Sequence, residues 1–235
     1  MKLNKLIAIA TISLLSGGIS MAQKALNLED IVAGNIIQTK GIGSMTWLKD
    51  GERYSRLENN KQTGGTDIVA YRAKDNSREV IIPSSLLTDK STGRPIPVRS
   101  VSWSADNEKV LIYNNTRRVW RYDTRGDYWV LNLKDGALRQ LGKGMPESSM
   151  MFAKFSPDGT RVAYVSNNNI YVEDIDSGKI TQLTKDGSDT IVNGTFDWVY
   201  EEEFSCRDGF RWSPDGKHIG KAIRKERECS TLLIM

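Results

Sequence analysis

The sequence predicts an all-β fold, a partial β-propeller, and three observations predict it. A unit of an aromatic residue followed by Ser, Pro, Asp and Gly recurs along the chain. Short β-prone runs alternate with Gly, Asn and Asp turns at the spacing of propeller strands. The stretch from Ser44 onward has room for about three and a half four-stranded blades of this size.

The repeat is clearest at Phe155-Ser156-Pro157-Asp158-Gly159 and Trp212-Ser213-Pro214-Asp215-Gly216. It is looser at Trp103-Ser104-Ala105-Asp106-Asn107 and degenerate at Trp47-Leu48-Lys49-Asp50-Gly51. Its successive copies at Leu48, Ser104, Ser156 and Ser213 lie 56, 52 and 57 residues apart. In one copy, Phe155 ends a strand and Ser156–Gly159 form a turn. Pro presets φ there, Asp binds the local backbone and Gly accepts positive φ. Further strands are predicted at Arg161–Ser166, Ile170–Ile175 and Lys179–Leu183, with turns at Asn167–Asn169 and Asp176–Gly178. The preceding copy reads the same way through Lys109–Tyr113, Tyr128–Leu133 and Leu138–Leu141. Evenly spaced short strands also suit a β-sandwich; the recurring turn unit favours the propeller.

The first 22 residues differ in kind. Lys2 and Lys5 precede an apolar run from Leu6 to Leu15, and Ser20-Met21-Ala22 has the small-x-small form of a cleavage site. The run is too short to span a bilayer, so a signal peptide over 1–22 is expected, with a mature chain beginning at Gln23. The product is then periplasmic or extracellular, with no membrane span after cleavage. Of 33 basic and 29 acidic residues, cleavage removes Lys2 and Lys5, leaving a formal charge of +2. That balance argues against nucleic acid as a partner. Export permits a disulfide between Cys206 and Cys229, although nothing in the sequence pairs them. No Cys/His cluster has ligand spacing, so neither a metal nor another cofactor is expected.

Between the third blade and the last Ser-Pro-Asp-Gly unit, Leu183 to Phe210 is longer than a blade turn needs. Such insertions usually carry function. Within it, Asp197 is placed to cap a short helix bearing Glu201, Glu202 and Glu203.

The string Asp197-Trp198-Val199-Tyr200-Glu201-Glu202-Glu203 resembles the hallmark of the dipeptidyl peptidase IV family. Leu26-Asn27-Leu28-Glu29-Asp30-Ile31 is similar to that family's lead-in, which assigns 23–43 to a lead-in segment and 44–219 to the propeller. The resemblance implies part of an eight-bladed propeller that covers an α/β-hydrolase domain in serine exopeptidases. Those enzymes release dipeptides from free N-termini, preferring Pro or Ala in the second position. In the family, the second and third Glu of the string hold the substrate amine; here these are Glu202 and Glu203. An ammonium has three donors, and two adjacent carboxylates suit it. The family also uses an Arg after Trp to grip a backbone carbonyl of the substrate, which points to Arg121 in Trp120-Arg121-Tyr122. Arg117, Arg118 and Arg125 crowd the same stretch. The expected partner is therefore the N-terminus of a peptide, with homodimerisation open for an intact enzyme.

No catalytic residue is expected in this chain. It has no G-x-S-x-G elbow, and its one histidine, His218, follows a turn and reads as structural. The resemblance fades after about Ile219. Residues 220–235 are charged and then apolar, without turn chemistry, which fits a shifted reading frame or a truncation and predicts no further strand from Lys221 onward; the alternative is a divergent fourth blade in a naturally short protein. The alternative function is a non-catalytic exported propeller that binds peptides or partners.

Overall fold

The computed structural model describes residues 43–225, together with Leu28 and Val32. The predicted signal peptide, nearly all of the lead-in segment, and residues 226–235 lie outside the described residues.

Three four-stranded antiparallel sheets follow one another. The first comprises β1 (Thr46–Trp47), β2 (Arg53–Asn59), β3 (Thr66–Arg72) and β4 (Arg78–Ile82). A 3-10 turn at Ser84–Leu87 and a ribbon of β5 (Thr88–Asp89) and β6 (Arg94–Pro95) lead to the second sheet. That sheet holds β7 (Ser100–Trp103), β8 (Lys109–Val119), β9 (Tyr122–Asn132) and β10 (Leu138–Gln140). The third holds β11 (Met151–Phe155), β12 (Arg161–Ser166), β13 (Asn169–Asp174) and β14 (Ile180–Gln182). Then come β15 (Ile191–Asn193), the helix α1 (Trp198–Phe204), β16 (Phe210–Trp212), β17 (Ile219–Lys221) and β18 (Ile223–Lys225). Each of the three four-stranded sheets pairs its strands in chain order, as a propeller blade does.

The apolar runs of the second and third blades are continuous because each of these blades contributes to a core on both faces. Successive strand side chains point to opposite faces. Val110 and Ile112 join Ile68, Ile82, Leu87 and Leu131 in a core between the first two blades. Leu111, between them in sequence, joins Tyr128, Val130, Val162 and Tyr164 in the core shared with the third blade. Ala163 and Val165 in turn pack with Met151, Ile170 and Phe210.

The recurring turn has one geometry. Ser104, Ser156 and Ser213 each accept the backbone N–H five residues on, at 2.9, 3.0 and 2.9 Å. Each hydroxyl donates to the Asp two residues on, at 2.5 Å. That Asp also accepts a backbone N–H two residues further, from Glu108, Thr160 and Lys217. The Gly position has φ of 67° at Gly159 and 68° at Gly216, and Asn107 takes 60° in the looser copy; Gly and Asn are the residues that adopt this region readily. In the degenerate copy Leu48 replaces Ser, and Asp50 itself accepts the N–H of Arg53 at 3.0 Å. The aromatic residue ties blades together. Trp103 donates its indole N–H to Ser55 of the first blade, and Trp212 donates to the Lys154 carbonyl of the third.

Buried polar groups add further ties. Glu173 of β13, 1% exposed, accepts from Arg139 of the second blade at 2.9 Å and from the Gly142 N–H at 2.8 Å. Lys154 of β11 donates to Asp208 and to the Phe210 carbonyl. Burial pushes the Lys154 ammonium below its usual range, against the pull of Asp208.

Two segments differ from the sequence expectation. The central hairpin of the second blade runs on past Tyr113 to a tip at Trp120-Arg121, with register shifts around Arg117. This extension carries mostly polar side chains, so hydrophobic patterning does not reveal it. Sheet pairing also continues beyond Ile219. Phe210 pairs with Lys221, and β18 pairs with β15 through Ile191–Lys225 and Asn193–Ile223. Backbone bonds need no apolar side chain: Ala222 donates to Gly209 and accepts from Gly194, and the Lys221 ammonium reaches Asn193 at 2.7 Å.

Replacing Glu173 by Ala leaves the Gly142 N–H and the Arg139 guanidinium without their acceptor. The expected loss of unfolding free energy is about 3 kcal/mol, at the low end for a broken buried pair because Arg139 can rehydrate. Denaturant melts would measure it, and an unchanged midpoint would contradict the inter-blade role. The turn acids predict a pH dependence. Hydrogen bonding, first from Ser156 and then from Thr160, holds the Asp158 carboxyl at about 2. A carboxyl lowered in the fold stabilises above its unfolded pKa, about 4. That contribution is lost as pH falls from about 4 towards 2, and solvent screening keeps it small. Urea midpoints of Asp158→Asn should therefore fall less steeply than wild type over this range; parallel profiles would refute it.

Candidate functional site

The helix α1 forms where the sequence places its signals. Asp197, in extended conformation, accepts from the Tyr200 N–H at 3.2 Å and caps the first turn. Ser205, at φ 49°, reverses the chain at the other end, and the Cys206 N–H returns to the Tyr200 carbonyl. Phe196, Tyr200 and Phe204 stack along one side, with centroids 4.7 and 5.5 Å apart. Cys206 has no disulfide partner among the described residues; its candidate partner Cys229 lies outside them.

The three glutamates face different surroundings. Glu201 is buried and pairs with Arg207 at 2.8 Å. Glu202 is largely buried and accepts from the Arg121 guanidinium at 2.6 Å. Glu203 is exposed and has no ion pair or hydrogen bond among the described residues. The structure thus brings all three predicted residues, Arg121, Glu202 and Glu203, to one place, although the whole third blade separates Arg121 from the helix in sequence. Arg121 reaches it from the hairpin tip between β8 and β9. The crowded arginines divide. Arg118 donates to the Arg121 carbonyl at 3.1 Å. Arg125 is part-buried, and its guanidinium is pushed below the ordinary arginine range by burial first, then by Arg117 and Arg207.

The charges leave a remainder. Arg121 offsets one of the two adjacent carboxylates, so Arg121, Glu202 and Glu203 together carry about one unit of negative charge. Arg121 is 69% exposed, so its ion pair is worth little, about 0–1 kcal/mol, and rearranges easily. A guanidinium has five donors; one serves Glu202 and the others remain for a carbonyl oxygen. The arrangement suits a cation with an adjacent carbonyl. A separate cavity of about 890 Å³, lined by Arg99, Asn114, Asp127 and Trp129 among others, does not contain these residues.

The family profile described as "Dipeptidyl peptidase IV (DPP IV) N-terminal region" matches residues 104–227, more than half of the chain. The chain belongs to the dipeptidyl peptidase IV family. Its match covers both β8–β9 and α1 and runs past Ile219, where the sequence resemblance fades. A "Probable dipeptidyl-aminopeptidase B" of Chaetomium globosum is 37% identical over 120 residues, covering 51% of this chain and 13% of that protein. A protein of the same name from Aspergillus terreus is 28% identical over 214 residues, covering 87% of this chain and 23% of that protein. The crystal structure of Porphyromonas gingivalis dipeptidyl peptidase 4 superposes with a TM-score of 0.65 at 27% identity, covering 83% of this chain and 27% of that one. The chain therefore spans about a quarter or less of the relatives it matches. The partial propeller is the N-terminal region of this family's fold.

Two further residues join the candidate site: Trp120, which the sequence marks only as the neighbour of Arg121, and Arg207, which it does not mark at all. The Arg207 guanidinium lies over the Trp120 ring, 3.8 Å from its centroid. The available signal is a bulky Trp in a tight hairpin turn, where Gly or Asn is the usual choice. His218 serves the last turn, its backbone N–H donating to Ser213.

Proposed function

We propose that this chain supplies the N-terminus-gripping part of an exported dipeptidyl peptidase that releases X-Pro or X-Ala dipeptides. Glu202 and Glu203 accept the substrate ammonium, and Arg121 donates to a carbonyl of the same peptide. The observation that carries this reading is the Arg121–Glu202 pair at 2.6 Å, which sets a multi-donor cation beside the unpaired Glu203. An ammonium binding there neutralises the residual negative charge, and the Arg-to-carbonyl bond fixes the direction in which the peptide leaves. An exopeptidase needs both, because it measures a fixed number of residues from a free amine. The names of the relatives support peptide substrates, and the basic, apolar start of the chain supports export.

The test is binding of alanyl-proline amide to the purified chain, beside its N-acetylated counterpart. Wild type should prefer the free amine. Glu202→Gln and Glu203→Gln should each weaken its binding by about 1.5–3 kcal/mol, the usual worth of a hydrogen bond to a charged group. Binding of the acetylated peptide should be poor and insensitive to either change. Equal affinity of wild type for the two peptides would overturn the reading.

A further inference from the structure

We infer that Arg207 is a positioning residue, which locks the tip of the β8–β9 hairpin onto α1 and so sets Arg121 against the helix carboxylates. This rests on the amine-binding reading of Glu202 and Glu203.

The contacts form two parallel rungs between the hairpin tip and the helix. In the outer rung Arg121 meets Glu202. In the inner rung Trp120 stacks on Arg207, and Arg207 pairs with Glu201. Trp120 and Arg121 are neighbours in one chain segment; Glu201 and Glu202 are neighbours in the other. Fixing the inner rung therefore restricts the outer one. The rungs differ in burial. The Arg207 and Glu201 side chains are 10% and 2% exposed, against 69% for Arg121. An exposed pair alone is a weak constraint, whereas a buried guanidinium stacked on indole has few alternative positions.

Two costs point to a positioning role. Trp120 has φ 57°, in the left-handed region, which a bulky side chain seldom adopts. Such strain concentrates at functional sites and persists only where the surroundings enforce it. The inner rung is also imperfectly satisfied: Glu201 Oε1 and Arg207 Nε are buried with no hydrogen-bond partner. An apolar contact would hold two segments together without either cost. The backbone of Arg207 is itself fixed, its carbonyl accepting from the Phe196 N–H at 2.8 Å and its neighbour Asp208 bridging Thr195.

The test uses the 235-residue chain with Arg207→Lys, which keeps a cation for Glu201 and loses the planar stack on Trp120. Trp120→Leu removes the stack from the other side. Both should melt like wild type. Amide exchange over residues 117–124 should speed about tenfold in each, while exchange in β12 stays unchanged. The preference for alanyl-proline amide over its acetylated form should fall about tenfold with Glu202 and Glu203 untouched, which a merely structural residue would not cause. Wild-type hairpin exchange together with wild-type preference in both variants overturns the inference. Lost preference with unchanged hairpin exchange also overturns it, because Arg207 would then act by another route. A wild-type chain with no free-amine preference refutes the amine-binding reading instead, and hairpin exchange then decides the locking by itself.

Discussion

The pair between Arg121 and Glu202 joins a hairpin tip of the second blade to a helix inserted after the third, and the rest of the molecule sets where those two ends stand. The tip lies at the far end of an eleven-residue strand, β8, whose inner half is clamped between two cores. The helix is held between Asp197 and Ser205, and its first glutamate is anchored by Arg207. A weak surface contact can define a site only if its two supports are rigid. Burial of both faces of the second and third blades, near 25 cal/mol per Å² of apolar area, supplies that rigidity.

This division of labour explains the different fates of three consecutive glutamates. Helical geometry turns each residue by about 100°, so neighbours on a short helix face different surroundings. Glu201 points inward and is structural. Glu202 is held by a cation from another blade. Glu203 is left to solvent. A triplet that reads in sequence as one acidic patch is three carboxylates in three different surroundings, one paired with Arg207, one paired across blades and one open to solvent.

The local features were legible because they depend on neighbours in sequence. The Ser-Pro-Asp-Gly turns form from contacts within five residues, and the Asp197 cap lies three residues from its donor. Both follow from side-chain chemistry alone. The outer half of the β8–β9 ribbon was not legible, because it is held by backbone pairing under polar side chains rather than by apolar alternation. The same holds for β18, whose partner β15 lies across α1 and a strand pair. Arg207 was hidden for another reason. It meets Trp120 across 87 positions of chain, and no local pattern encodes that meeting. The family resemblance points to Arg121, Glu202 and Glu203 as candidates, but it is silent about Trp120 and Arg207 beside them.

On the proposed function, a free peptide amine binds between the hairpin tip and α1. A crystal structure of the chain with alanyl-proline amide tests it most directly. The ammonium nitrogen is expected within hydrogen-bonding distance of the Glu202 and Glu203 carboxylates, and the first peptide carbonyl within reach of the Arg121 guanidinium. A dipeptide bound elsewhere, or bound there with its amine turned to solvent, would contradict it.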